Sequence, residues 1–119
     1  MKTPVHRGDV VLVRLDPTRG REIKKTRPAV VASNQTACLH DEVVQVVPIT
    51  ALPDRLLRPY EAEVISHESG VTKPSRAVAN QIRTVDKNRL VRRLGNLSTD
   101  EIGPFDRAIA IQLGLRRTP

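Results

Sequence analysis

Aromatic side chains are nearly absent from this chain. Its 119 residues hold one tyrosine, one phenylalanine and no tryptophan. Proteins that grip single-stranded nucleic acid commonly stack bases on such rings. Any stacking here must come from arginine planes or apolar loop residues. Cysteine is almost as scarce. Cys38 stands alone, which excludes an internal disulfide and a cysteine metal cluster. No apolar run approaches the ~18 residues of a membrane helix. The start, Met1 to Asp9, has no apolar core of a secretory leader. Those absences together predict a cytoplasmic protein with no membrane role. His6, His40 and His67 are scattered and fit no paired acid–base motif.

Positive charge is what the chain has in excess. Twenty basic residues against 13 acidic ones give a formal charge of +7, with an isoelectric point near 10.5. Fifteen of the twenty are arginine. A guanidinium presents a planar fork that matches phosphate oxygens, where lysine presents only a point charge. Such a chain favours polyanions or acidic protein segments. The hydrophobic fraction of 39% suits a folded, soluble protein. The length fits one domain over 1–119 with one modest core.

The apolar runs are short, valine-rich and bounded by turns, which favours strands. Val10–Leu15 reads as a strand closed by Asp16-Pro17-Thr18-Arg19-Gly20. Ala29–Ala32 and Val43–Val47 read as two more. Tyr60–Val64 alternates, Ala77–Ile82 is a fifth run, and Leu90–Leu94 is a sixth. So many short strands in so few residues predict a small barrel or sandwich. The polar stretch from Arg19 to Thr26 and the proline-bounded Pro53–Pro59 read as exposed, mobile loops.

The C-terminal segment is helical. Ser98-Thr99-Asp100-Glu101 matches a capping box, and Leu97 with Ile102 could form the accompanying apolar staple. Gly103-Pro104 predicts a kink, or a helix that restarts at Pro104, because proline lacks an N–H. Beyond it Phe105, Ile109 and Leu113 share a face with Ala108 beside them, and Gly114 is placed as a stop. Asp86 could cap a short turn through Leu90.

Two strings hold the chemistry. In Thr26-Arg27-Pro28-Ala29-Val30-Val31 a permanently charged Arg27 precedes a proline that keeps it extended. In Val46-Val47-Pro48-Ile49-Thr50 a hydroxyl ends an apolar run. A guanidinium and a hydroxyl are the groups needed to grip a phosphodiester. Taken with Arg7-Gly8-Asp9-Val10, Asp16-Pro17-Thr18-Arg19-Gly20, Gln81-Ile82-Arg83-Thr84-Val85-Asp86-Lys87 and Leu97-Ser98, these strings resemble the MazF/PemK-type toxins of bacterial toxin–antitoxin systems. The resemblance covers nearly the whole chain. It implies a mainly β fold, an SH3-like β-barrel with a C-terminal helix and one or two short helices. It also implies a homodimer, no cofactor, and metal-independent endoribonuclease activity on single-stranded RNA. The family's catalytic pair falls on Arg27 and Thr50. Two positions depart from the family. The loop after Gly20 often reads Ser-Glu-Gln and here reads Arg21-Glu22-Ile23, and the residue before Gln81, usually acidic, is Asn80. Both bear on which RNA motif is recognised.

The chemistry expected of that pair needs no metal. The RNA 2′-hydroxyl attacks the adjacent phosphorus and expels the 5′-oxygen, leaving a 2′,3′-cyclic phosphate and a 5′-hydroxyl end. Arg27 would hold the phosphorane charge and Thr50 would donate to a non-bridging oxygen. Glu22 is the candidate general base, with a salt bridge to Arg19, Lys24 or Lys25 as its alternative role. Arg21, Lys24, Lys25, Arg55 and Gln81 are the candidate RNA contacts. An acidic, MazE-like antitoxin could fold onto the basic groove and occlude it. Two rival readings share the barrel: a non-enzymatic toxin that poisons DNA gyrase, and a nucleic-acid-binding module without activity.

Overall fold

Among the described residues the chain forms one seven-stranded antiparallel sheet and two α-helices. The computed structural model describes residues 4–17 and 19–115. Met1–Thr3 of the start, and Thr18 of the Asp16–Gly20 string, lie outside them. The strands are β1 (Asp9–Arg14), β2 (Thr26–Val31), β3 (Val43–Ala51), β4 (Glu61–Val64), β5 (Ser75–Val78), β6 (Arg83–Asp86) and β7 (Leu90–Asn96). The helices are α1 (Gln35–His40) and α2 (Thr99–Leu113). The mainly β expectation holds.

Strand order is β4-β5-β3-β2-β1-β7, and β3 also pairs with β6. The nine-residue β3 is thus shared: Val43–Val46 pair with β6 and Ile49–Ala51 with β5. The handover falls at Pro48. Leu52 N–H donates to Pro74 O at 3.2 Å. Counting back by twos, the hydrogen-bonded pairs of β3 and β5 include Thr50–Arg76 and then Pro48–Val78. Pro48 has no N–H to give, so the ladder with β5 begins only at Ile49.

Alternation along the strands sends side chains into two cores. Val11, Val13, Leu15, Ala29, Val31, Val44, Val46 and Val85 fill one side of the sheet. Val10, Val30, Val47, Ile49, Ala62, Val64 and Ala77 fill the other, beneath Leu97, Phe105 and Ala108 of the α2 layer. Period-two patterning therefore puts core on both faces of β1, β2 and β3. The expected fifth run is divided. β5 ends at Val78, a 3₁₀ turn takes Ala79–Gln81, and a seventh strand, β6, follows.

The caps read from sequence are present. Glu101 accepts from Ser98 N–H at 3.0 Å, and Gly114 closes α2 with φ of 68°. Asp86 accepts from Asn88 N–H at 2.8 Å over the 3₁₀ turn Lys87–Arg89. The position of the short helix α1 was not expected from sequence; Asn34 caps it by accepting from Ala37 N–H at 2.9 Å. The predicted restart at Pro104 is not seen, and α2 runs through it from Thr99. Gly103 and Pro104 lie on the exposed side, where the carbonyl left without a partner stays open to water. Leu113 is exposed although Phe105 is fully buried, so the last turn of α2 reaches past the sheet.

Candidate active site

The Arg-Pro pair opens the site by interrupting the sheet. Ala32 N–H donates to Gln45 O at 2.9 Å. Counting back by twos, the bonded pairs of β2 and β3 are Val30–Val47 and then Pro28–Ile49. Pro28 cannot donate, and the ladder stops one residue earlier, at Ala29–Pro48. Carried on by two residues, the register sets Arg27 level with Thr50. Where the ladder has stopped there is a cavity of about 420 Å³, and both residues border it.

The floor is apolar: Leu12, Pro28, Ile49, Val71 and Leu94. Lys73 and Arg92 line the wall with Arg27, and among the described residues no carboxylate does. Three cations around an apolar hollow suit a base and its phosphate. The Gly70–Lys73 wall is held close by two glycines. A Cβ on Gly70 would lie 2.2 Å from the Leu94 carbonyl oxygen, and one on Gly95 would lie 2.1 Å from that of Glu68. Backbone meets backbone there, and only glycine permits it.

Arg27 is half-buried, and its Nε donates to Lys24 O at 3.1 Å. Among the described residues its two Nη groups have no hydrogen-bond partner, so the fork is left for a ligand. Thr50 is likewise half-buried at the cavity. Glu22 does not border the cavity. Its Oε1 accepts from Arg19 N–H at 3.2 Å and its Oε2 lies 3.7 Å from Arg83 Nη1.

The polar loop is tied rather than loose. Gln81 Oε1 accepts from Ile23 N–H at 3.2 Å. Arg83 donates to Ile23 O at 3.3 Å and Leu15 O at 3.2 Å. Ile23 packs against the first core. Arg21, Lys24 and Lys25 are exposed along this loop, and Lys25 takes the left-handed conformation with φ of 72°. Arg55 is engaged elsewhere. Its Nη1 and Nη2 hold the Glu61 carboxylate at 2.8 and 3.2 Å.

The structure therefore brings Arg27 and Thr50 together and leaves Glu22, Gln81 and Arg55 on other partners. Sequence reading missed Lys73 and Arg92. A signal for Arg92 existed: it stands two residues before Leu94 on β7, and Leu94 lines the same cavity. Lys73 sits in an irregular loop, where no periodicity points anywhere.

Two buried glutamates brace the surroundings. Burial opposes ionisation of Glu101, but bonds from Ser66 Oγ and the N–H groups of Ser98, Ile65 and Ser66 outweigh it and hold its carboxyl below the usual range. Burial opposes ionisation of Glu61 too. The Arg55 bonds, the Arg58 N–H and the Arg76 charge again draw it down. Among the described residues no three His, Cys, Asp or Glu side chains are grouped to hold a metal ion.

Comparison with known proteins gives the family of the chain. The sequence model of a family described as PemK-like, MazF-like toxin of type II toxin–antitoxin systems matches residues 6–113. The chain is 34% identical over 116 residues to endoribonuclease MazF9 of Mycobacterium tuberculosis, covering 93% of this chain and 98% of that one. Its fold is similar to MazF from Deinococcus radiodurans, with a TM-score of 0.79 at 23% identity over 95% of this chain and 99% of the other. It is also similar to a mycobacterial endoribonuclease solved in complex with its cognate antitoxin, with a TM-score of 0.78 at 22% identity over 96% and 99%. The chain belongs to the PemK-like, MazF-like family of type II toxin–antitoxin toxins.

Proposed function

We propose that this toxin is an endoribonuclease that cuts single-stranded RNA at the Arg27–Thr50 cavity. The observation that carries the reading is the meeting of a half-buried guanidinium with unpartnered Nη groups and a hydroxyl at one cationic, apolar-floored hollow. The kinship with endoribonuclease MazF9 supports it. RNA supplies its own nucleophile, so the protein has to align the 2′-hydroxyl with phosphorus and stabilise the charge that builds. Arg27 takes two phosphate oxygens through its free fork. Thr50 donates to a non-bridging oxygen. Lys73 and Arg92 hold the flanking backbone, and Arg21, Lys24 and Lys25 extend the positive path along the loop. The reaction leaves a 2′,3′-cyclic phosphate and a 5′-hydroxyl without a metal.

Glu22 becomes a base only if its contacts to Arg19 N–H and Arg83 are exchanged for the substrate. Gln81 reads a base edge through its amide N–H groups, since its oxygen is held by Ile23. Arg55 reaches RNA only by leaving Glu61. The family match over 6–113 supports reading 1–119 as one toxin domain, working in the cytoplasm as a homodimer. Among the described residues no helix is long and apolar enough to cross a membrane. An acidic, MazE-like antitoxin neutralises it by covering the cationic cavity.

The chemistry is tested with an RNA whose scissile nucleotide is 2′-deoxy. The intact RNA should be cut in EDTA and the substituted one should survive. Equal cutting of both would exclude 2′-hydroxyl attack. Binding to gyrase with no RNA cleaved would favour the gyrase-poison reading.

A further inference from the structure

Arg76 stands on the other flank of Thr50. The two are direct partners in the β3–β5 register, and that pair is a hydrogen-bonded one, so both side chains leave the sheet on one face with their Cα atoms ~5.5 Å apart. Arg27 occupies the corresponding place on β2. Three adjacent strands thus carry guanidinium, hydroxyl, guanidinium across one row. The second guanidinium lies outside the cavity lining and was not singled out by sequence.

Its surroundings leave it underemployed. The Glu61 carboxylate, 2% exposed, faces both Arg55 and Arg76. Arg55 already takes both of its oxygens. Arg76 Nε lies 3.0 Å from Glu61 Oε2 as an ion pair, yet without hydrogen-bond alignment, and Nη1 is buried with no hydrogen-bond partner among the described residues. Glu63 faces Arg76 across β4 and β5 but, among the described residues, forms no ion pair with it. Two guanidiniums against one carboxylate leave an excess positive charge beside Thr50. A half-buried charge with unmet donors is costly unless an anion completes it.

We propose that Arg76 is a second phosphate-binding arginine, whose guanidinium turns from Glu61 so that Nη1 meets the RNA phosphate seated at Thr50. Glu61 does not lose its counter-ion, because Arg55 holds it alone. The phosphate is then gripped from both sides of the hydroxyl, by Arg27 from β2 and Arg76 from β5. This rests on the reading of Arg27 and Thr50 as the RNA-cleaving pair.

The test uses a non-cleavable RNA with a 2′-deoxy scissile nucleotide and follows its Kd through a salt series. Arg76→Met keeps the apolar stem and removes the charge. Its log–log salt slope should fall by ~0.7, the share of one phosphate contact on a single strand, while Arg76→Lys keeps the wild-type slope. Thermal melting confirms that each variant is folded. A folded Arg76→Met with the wild-type slope overturns the proposal. If that variant does not fold, the guanidinium NMR signals of wild-type Arg76 decide. A shift on adding the RNA upholds the contact, and no shift overturns it. Cleavage by wild type and its loss in Arg27→Ala test the Arg27–Thr50 pair separately. Loss of RNA binding by the wild type itself would overturn both.

Discussion

A hydroxyl and a fork carry the account at the scale of single residues. Thr50 matters for one oxygen atom, because its methyl group and its place at the end of β3 are reproduced by valine. Thr50→Val should therefore leave stability within about 1 kcal/mol, by the measure of well-placed surface changes. It should lower kcat by roughly 10²–10³, as expected for one lost donor to a developing oxyanion. Single-turnover cleavage beside a denaturant melt separates the two effects. Equal rates for Thr50→Val and wild type would remove the hydroxyl from the chemistry. Arg27, Thr50 and the proline after Arg27 were legible in the sequence, because each is chemically distinctive beside a valine run. Arg76 and Lys73 were not. Nothing local distinguishes an arginine in Ser75-Arg76-Ala77 from a solvated charge, and its place beside Thr50 comes from a strand pairing with a residue 26 positions earlier in the chain.

At the scale of elements the prolines and glycines decide the shape. Pro28 stops the β2–β3 ladder and so keeps the cavity open. Pro28→Ala restores an N–H facing Ile49. A slowly exchanging amide should appear at position 28, and kcat/KM should fall about tenfold or more as Arg27 shifts from its place. A variant with full activity and a protected amide would show that the interruption is incidental. Gly95 is the second case, buried where β7 crosses the backbone of Glu68 and Ser69. Gly95→Ala meets backbone atoms that cannot yield, so a loss of about 1–3 kcal/mol is expected by denaturant melting. The runs that made the strands were plain in the sequence because alternation and turn residues are local. The division of the fifth run into β5, a 3₁₀ turn and β6 was not. It depends on β3 changing partners at Pro48, which only the assembled sheet reveals. The loop from Arg19 to Thr26 read as mobile for the same reason: its ties to Gln81 and Arg83 come from about 60 residues away.

The whole molecule adds pH and charge. Glu61 and Glu101 are both held below the usual carboxyl range. Their contribution to stability is complete above the unfolded glutamate value of ~4.3 and is lost as pH falls through the lower folded values. Unfolding free energy should be level toward neutral pH and should drop below about pH 4.3, where the unfolded chain binds the extra protons. Denaturant melts in acid would show it, and Glu101→Gln should lose part of that acid sensitivity. A curve flat into strong acid would contradict the picture of two buried, ionised braces. Charge acts at the same scale. With a formal +7 and, among the described residues, no carboxylate at the cavity, binding of RNA should weaken steeply as salt rises.

The most direct test of the central claim sets purified wild type beside Arg27→Ala on a mixed-sequence RNA in EDTA, with the ends of every fragment mapped. The Arg27–Thr50 account predicts cuts at one short motif with 5′-hydroxyl ends from the wild type and none from the variant. Equal cutting by a folded Arg27→Ala, or no cutting by a folded, antitoxin-free wild type, would contradict it.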